Sequence, residues 1–175
     1  MQFPDPPSGR FDGARHLFPV RAYFEDTDLS GVVYHANYLR WFERARSDML
    51  RLLGIDQRAA QEAGEGAYAV TELAIRYLRP ARLDDAVGIE SVTTEIAAAS
   101  CRIRQRAFRD GVLLAEANVR AAFVAPSGRP RRQPGAWVEA FRSVLADPAD
   151  LANPAETANP AETANPAETE SPPPA

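Results

Sequence analysis

The strongest constraint in this sequence is a change of period. Between residues 36 and 53, apolar side chains fall at Tyr38, Trp41, Phe42, Ala45, Met49, Leu52 and Leu53. That is the spacing of one face of a helix. Arg40, Glu43, Arg44, Asp48 and Arg51 take the opposite face, and Gly54 stands where such a helix stops. After residue 70 the spacing drops to two. Leu73, Ile75 and Tyr77 alternate with polar or small neighbours, as do Ile103, Gln105 and Ala107. Leu113, Ala115, Ala117, Val119, Ala121 and Phe123 continue the pattern. Alternation of this kind is the mark of strands buried on one face.

Asp110-Gly111, between the last two runs, predicts a tight hairpin. Residues 17–25 and 86–98 read as two further strands. In the second, Val87 and Ile89 are out of phase with Val92, Thr94 and Ile96, which predicts a bulge near Glu90–Ser91. Residues 134–146 predict a short final helix with Trp137, Phe141, Val144 and Leu145 on its apolar side. One long aromatic helix can bury its apolar face only against the strands. The expected fold is therefore α+β, one central helix wrapped by a five-stranded, mostly antiparallel sheet. The open edges of such a sheet invite self-association.

The two ends of the chain read differently. Residues 1–16, with Pro4, Pro6, Pro7 and Gly9, predict a flexible segment in which His16 has no role. Residues 147–175 predict a disordered Pro/Ala/Glu tail, in which Ala-Asn-Pro-Ala-Glu-Thr repeats at 152–157, 158–163 and 164–169. Too few apolar groups are present there to offset the entropy of ordering, and a proline in each repeat bars a helix. A domain over 17–146 remains, a normal size for a single core.

Composition narrows the chemistry. The net charge of −4 resides in residues 151–175, at Glu156, Glu162, Glu168 and Glu170; residues 1–150 balance 20 acids against 20 arginines. A neutral body argues against nucleic-acid binding, which needs a basic excess. All 20 basic residues are arginines, so phosphate-loop and Schiff-base lysines are excluded. One cysteine and two histidines leave no disulfide and no thiolate or three-histidine metal site within the chain. No metal or cofactor is expected. No apolar run reaches the ~18–20 residues of a membrane span, and no stretch at the start reads as a secretory signal. The expected localisation is cytoplasmic, with a peripheral position at the inner membrane left open.

The densest polar stretch, residues 25–38, joins the first strand to the long helix. It places Glu25, Asp26 and Asp28 within four residues, with Gly31 for a sharp turn. The first N–H groups of a helix lack partners inside it. Beside a carboxylate they make a workable hydrolytic site. The amides polarise a carbonyl, and the acid activates water or attacks. Acids before a helix also commonly cap it, so the same residues admit a purely structural reading.

The run Tyr23-Phe-Glu-Asp-Thr-Asp-Leu-Ser-Gly-Val-Val-Tyr-His-Ala-Asn-Tyr38, followed by Trp41-Phe-Glu-Arg-Ala-Arg46, resembles the signature of hotdog-fold acyl-CoA thioesterases. It is most similar to the 4-hydroxybenzoyl-CoA thioesterase branch, in its Tol–Pal-associated YbgC type. Tyr77-Leu-Arg-Pro-Ala-Arg-Leu-Asp-Asp85 supports the same resemblance. It spans about residues 18–142 and implies the hotdog fold.

The resemblance implies hydrolysis of acyl-CoA thioesters to a free acid and coenzyme A. Asp28 matches the family's catalytic carboxylate, as general base or nucleophile, with Asp26 its nearest competitor. His35 matches the position whose backbone amide meets the thioester carbonyl; a capping or packing role fits its ring equally. Gly31, Val32 and Val33 match the turn that walls the acyl pocket, and Tyr34 completes a Tyr-His pair. Tyr38 and Trp41 line the pocket or pack the core.

Arg129, Arg131 and Arg132 form the best basic cluster for the phosphates of coenzyme A, ahead of Arg79 and Arg82. Arg102, Arg104 and Arg106 read as a solvated or intersubunit strand face, and Cys101 as a buried structural thiol. Expected partners are acyl-CoA, an acyl carrier protein as an alternative donor, and copies of the chain in a homodimer or homotetramer. A thioester hydratase or dehydratase, and a non-hydrolytic acyl-CoA or carrier-protein binding scaffold, are the competing readings.

Overall fold

A computed structural model describes residues 1, 3 and 5–147. The expected disordered tail, with its three repeats, lies outside these residues apart from Asp147. Strands β1 (Arg10–Asp12), β2 (Arg15–Arg21), β3 (Ala67–Tyr77), β4 (Ala86–Ile96), β5 (Ser100–Arg109) and β6 (Val112–Val124) form one sheet in the order β1-β2-β4-β5-β6-β3. Every pairing is antiparallel. The expected five long strands are present, and three-residue β1 adds a sixth at the edge. Helices α1 (His35–Leu52), α2 (Gln57–Glu62) and α3 (Gly135–Arg142) complete the fold.

α1 lies in the curve of the sheet, as its aromatic spacing requires. Trp41, Phe42 and Ala45 are fully buried against Ile89, Ala107, Leu114, Ala115 and Ala117. Burying a large apolar side chain in this way contributes about 1.5–3 kcal/mol. Toward its C-terminal end, Met49 and Leu50 join Ile103, Ala121 and Phe141 of α3 in a second cluster. Gln105, on the helix-facing side of β5, satisfies the polar groups trapped between the layers. Its Nε2 donates to the carbonyl of Phe42 and to Ser91 Oγ, while its Oε1 accepts from Arg46 Nη1. The β5–β6 turn is the expected hairpin, and Asp110 and Gly111 both have positive φ, at 50° and 77°.

Several expectations change. The bulge in β4 falls between Thr93 and Glu95, not at Glu90–Ser91. Both of those residues are buried, Ser91 by Gln105 and Glu90 by its ion pair with Arg106. Arg106 is thus buried rather than solvated, whereas Arg102 is half-buried and pairs with Glu72 and Glu95. The first strand ends at Arg21 and gives way to a 3-10 turn at Phe24–Asp26. α2 has no counterpart in the spacing analysis. The final helix ends at Arg142, and Leu145 is exposed.

The sheet also begins inside the segment expected to be flexible. β1 pairs with β2, and His16 is completely buried between Phe11 and Phe18. His16 Nε2 lies 3.0 Å from Oδ2 of Asp48 on α1. The same carboxylate accepts from Gly9 N–H at 2.7 Å and from the Ser8 hydroxyl at 2.9 Å. These bonds strap residues 8 and 9 onto the helix. Gly9 is required there, because a Cβ would stand 2.4 Å from the carbonyl oxygen of Leu17 and 2.6 Å from His16 Nε2.

Burial holds His16 below its ordinary pKa, against the opposing pull of Asp48. Burial also pushes Asp48 up, but the bonds from Gly9, His16 and Ser8 outweigh it and leave the acid below the carboxylate range. The unfolded chain therefore takes up the His16 proton first as the pH falls through about 6.5. Folding stability is expected to decline from about pH 6.5 toward pH 5. Replacing His16 by Phe should flatten that part of the curve, and urea denaturation at a series of pH values measures it. The contribution of Asp48 is lost only further down, below about pH 4.

Candidate active site

The polar stretch of residues 25–38 folds as a tight loop between β2 and α1. The two candidate acids occupy different environments in it. Asp26 is buried, and its Oδ2 accepts the N–H of Tyr23 at 2.8 Å, which closes the 3-10 turn. Its carbonyl accepts the N–H of Tyr34 and the side-chain amide of Asn37, both at 2.8 Å. Asp26 therefore fixes the entry to α1. Asp28, two residues on, is exposed at the tip. Its backbone is clamped by Val32 and Gly31, and Gly31 adopts φ +75°.

The carboxylate of Asp28 turns back onto Ser30. Oδ1 accepts from the Ser30 hydroxyl and, at 2.8 Å, from its N–H. The Ser30 hydroxyl, then the Ser30 N–H, and the nearby His35 ring hold the acid below the usual carboxylate range. Asp28 is accordingly an anion at neutral pH.

α1 begins beside this anion with no side-chain cap. Asn37 N–H bonds to the Tyr34 carbonyl at 2.9 Å, but among the described residues the amides of His35 and Ala36 meet no acceptor. Those two N–H groups and the helix dipole offer a place for a carbonyl oxygen that gains negative charge. The start of the helix is braced by aromatic rings. Tyr34 lies against His35 at 4.4 Å between centroids, and Tyr77 of β3 stands 6.0 Å from His35. The Tyr77 hydroxyl donates to the carbonyl of His35 at 3.0 Å. Tyr77, which the residue patterns offered only as a strand residue, is thus a neighbour of the site. Its alternation with Ile75 and Leu73 concealed this.

Val33 and Tyr38 are buried in the core of the single chain, Val33 by pairing with Ala81 and Tyr38 by accepting the Ala81 N–H at 2.8 Å. Val32 is half-buried and bridges to Arg82. Tyr34 and His35 are exposed. Asp28, Gly31, Val32, Tyr34 and His35 are therefore brought to one end of the sheet.

Arg129, Arg131 and Arg132 are not. Arg131 N–H bonds to the Phe123 carbonyl and its Nη1 to the Glu65 carbonyl. Tyr77 faces Ala115 in the same β3–β6 ladder, whereas Tyr68 faces Phe123. At ~3.3 Å per residue, the arginine cluster lies roughly 25 Å along β6 from the helix start of its own chain. Arg82 and Arg79, given less weight in the sequence, lie at the near end.

A large cavity along β2 and a small one between α1 and α3 both exclude Asp28 and His35. Among the described residues, no cluster of three metal-ligating side chains occurs. No helix among them is long and apolar enough to cross a membrane.

Comparison with known proteins gives a consistent picture. The sequence model of the family described as "Thioesterase-like superfamily" matches residues 23–157. The acyl-CoA thioesterase YbgC of Haemophilus influenzae is 45% identical over 107 residues, 61% of this chain and 79% of its own. The acyl-CoA thioester hydrolase YbgC of Escherichia coli O6:H1 is 40% identical over 127 residues, 71% of this chain and 94% of its own. Among solved structures, a probable thioesterase from Bartonella henselae superposes with a TM-score of 0.65 at 35% identity. That match covers 69% of this chain and 99% of the other. A DHNA-CoA thioesterase from Staphylococcus aureus, at 24% identity, shares the fold with a TM-score of 0.70 over 74% of this chain and 90% of its own.

The contrast between the two acids is testable by stability alone. Asp26→Ala should cost about 1 kcal/mol, the usual loss for a capping acid. Asp28→Asn should leave the denaturation midpoint essentially unchanged, as expected for an exposed side chain. Urea denaturation of the two variants measures both.

Proposed function

The chain belongs to the thioesterase-like superfamily as a hotdog-fold thioesterase, and on that premise we propose that it hydrolyses acyl-CoA thioesters with Asp28 as the reacting carboxylate. CoA-thioester hydrolysis is the reaction typical of this superfamily, and the named relatives that match over most of their length carry it. One observation supports the choice of acid above the others: an exposed anion stands beside two unpaired amides of a buried helix, while the carboxylate of Asp26 is already engaged.

The chemistry needs no more than these groups. The thioester carbonyl oxygen lies against the amides of His35 and Ala36, which stabilise the charge it gains. In the general-base route, Asp28 takes a proton from water while the water oxygen bonds to the carbonyl carbon. Collapse of the tetrahedral intermediate breaks the C–S bond, and the thiolate of coenzyme A recovers the proton from Asp28. In the nucleophilic route, an Asp28 oxygen bonds to the carbonyl carbon, the thiolate leaves, and water opens the resulting anhydride. Gly31, Val32, Val33 and Tyr34 shape the approach, and Tyr38 backs them from the core.

We read the arginines as serving a neighbouring chain's site, because the cluster lies roughly 25 Å from the helix start of its own chain. β3 is the edge that would provide the subunit boundary, since Val70, Leu73 and Tyr77 are exposed along it. We therefore read the active form as a dimer or higher homo-oligomer with sites at the boundary.

Asp28→Asn is expected to lower kcat by about 100-fold or more, the range for loss of a general base, with KM for acyl-CoA little changed. Release of free thiol across a panel of acyl-CoA chain lengths measures this, and near-normal turnover would remove Asp28 from the reaction. The double variant Arg129→Ala, Arg132→Ala should raise KM for acyl-CoA by several fold. It should leave KM unchanged for an acyl-N-acetylcysteamine thioester, which has no phosphates. A similar rise for both substrates would place the arginines outside the nucleotide site.

A further inference from the structure

A cavity of about 970 Å³ lies along β2 and reaches Tyr23 at the start of the Asp28 loop, without including Asp28 or His35. Small-molecule sites have volumes of roughly 300–1,000 Å³. Its floor is apolar, formed by Leu17 and Pro19 of β2 with Phe108 of β5. Gly88 of β4 lies between Pro19 and Phe108 in one cross-strand row. A Cβ built on Gly88 would meet nothing within 4 Å. The missing side chain leaves the middle of that row open.

The charges around the cavity do not balance. Arg10 of β1, Arg21 of β2 and Arg44 of α1 all border it. The side chains of Arg10 and Arg44 have no hydrogen bond or ion pair among the described residues, and Arg21 gives one donor to the neutral carbonyl of Asp84 at 2.8 Å. The one acid on the lining, Glu90, already accepts two bonds from Arg106, at 2.9 and 2.7 Å. Three arginines thus border an apolar trough whose single acid is already paired. Residues 7–10 form one wall, held by the bonds from Ser8 and Gly9 to Asp48.

An apolar floor with a cationic rim suits a ligand with an unbranched hydrocarbon chain and one anionic head. We propose that this groove binds a long-chain carboxylate, its chain along the Pro19–Gly88–Phe108 row and its head against the arginines. The site stands on its own shape and charge, independent of the hydrolysis reading. If that reading holds, the ligand is also a product of the reaction.

Isothermal titration of the full chain with laurate, kept below its micelle concentration, tests the proposal. Dodecyltrimethylammonium, with the same chain length and a cationic head, is the control. Laurate is expected to bind once per chain, and the cation at least tenfold more weakly. Arg44→Glu and Arg10→Glu should each weaken laurate at least tenfold. Gly88→Leu, which fills the trough where a Cβ is free of clashes, should abolish binding. Circular dichroism confirms that each variant is folded.

Asp28→Asn should bind laurate as the unaltered chain does, whatever happens to thiol release, so the two proposals fail separately. Four results would overturn the groove: no laurate binding, affinity unchanged in the Arg44 and Gly88 variants, equal affinity for the cation, or loss in Asp28→Asn. Retention on vesicles of anionic phospholipid without binding of monomeric laurate would likewise overturn it, in favour of a membrane surface.

Discussion

The carbonyl oxygen of Asp26 holds the site together. It accepts the N–H of Tyr34 and the side-chain amide of Asn37, one residue before and two residues after the first residue of α1. The chain is thereby anchored on both sides of the helix start, and the two amides between those anchors, at His35 and Ala36, are left over. An ordinary capping side chain would have consumed one of them. Here the capping position is held by Tyr34, whose side chain makes no such bond, and the carboxylate of Asp26 is turned to Tyr23. The helix cannot shift to satisfy its own end, because Trp41, Phe42 and Ala45 are locked into the sheet one to three turns later. Core packing and loop hydrogen bonding together keep those two amides unpaired.

Much of this was legible in the residues. The long helix was readable because its apolar face repeats over several turns, and the β5–β6 hairpin because Asp110-Gly111 accommodates two positive φ angles. What misled were polar residues that are buried. Glu90 and Ser91 looked like a break in phase, but Arg106 and Gln105 satisfy them inside the fold. The real slip comes at Thr93–Glu95. His16 looked idle among prolines and glycines because its partner, Asp48, lies 32 residues away on another element. Local pattern carries no trace of such a bond. The same holds for Tyr77, whose hydroxyl reaches His35 from the far edge of the sheet. Within the candidate site, Asp28, Gly31 and His35 were visible as types in a motif. Only the family resemblance put Asp28 ahead of Asp26, since by residue type both are acids before a helix; burial is what separates them in the fold.

The edge strand gives the exposed residues of the loop their meaning. Phe24 and Leu29 are 82% and 109% exposed, next to Asp28, and Tyr34, Leu78 and Leu83 are also uncovered. A single exposed apolar residue needs no explanation, but several around one polar loop do. Leu78 directly follows β3, and Tyr34 packs on His35, which Tyr77 of β3 also contacts; the outer edge of β3 has no strand partner among the described residues. A second copy placed along that edge would cover the loop and bring its own arginines near it. The half-open setting of Asp28 and the distant placement of Arg129, Arg131 and Arg132 then have one explanation.

The groove along β2 lies at the opposite side of the sheet order from β3. A second chain docked on β3 would therefore leave it uncovered. Its wall also depends on a different contact from the one that builds the Asp28 loop, namely Asp48 with Ser8, Gly9 and His16. Both contacts nonetheless end on α1, the first at its N-terminus and the second on its third and fourth turns. A rigid helix joins them, and a packed core passes displacement along such an element rather than absorbing it. Occupation of the groove would press on Arg44 and on the strap over Asp48, while the reacting end of the same helix is held by the Asp26 carbonyl. The two sites therefore share α1, and they also meet at the end of β2, where Tyr23 lines the groove and its N–H is held by the carboxylate of Asp26.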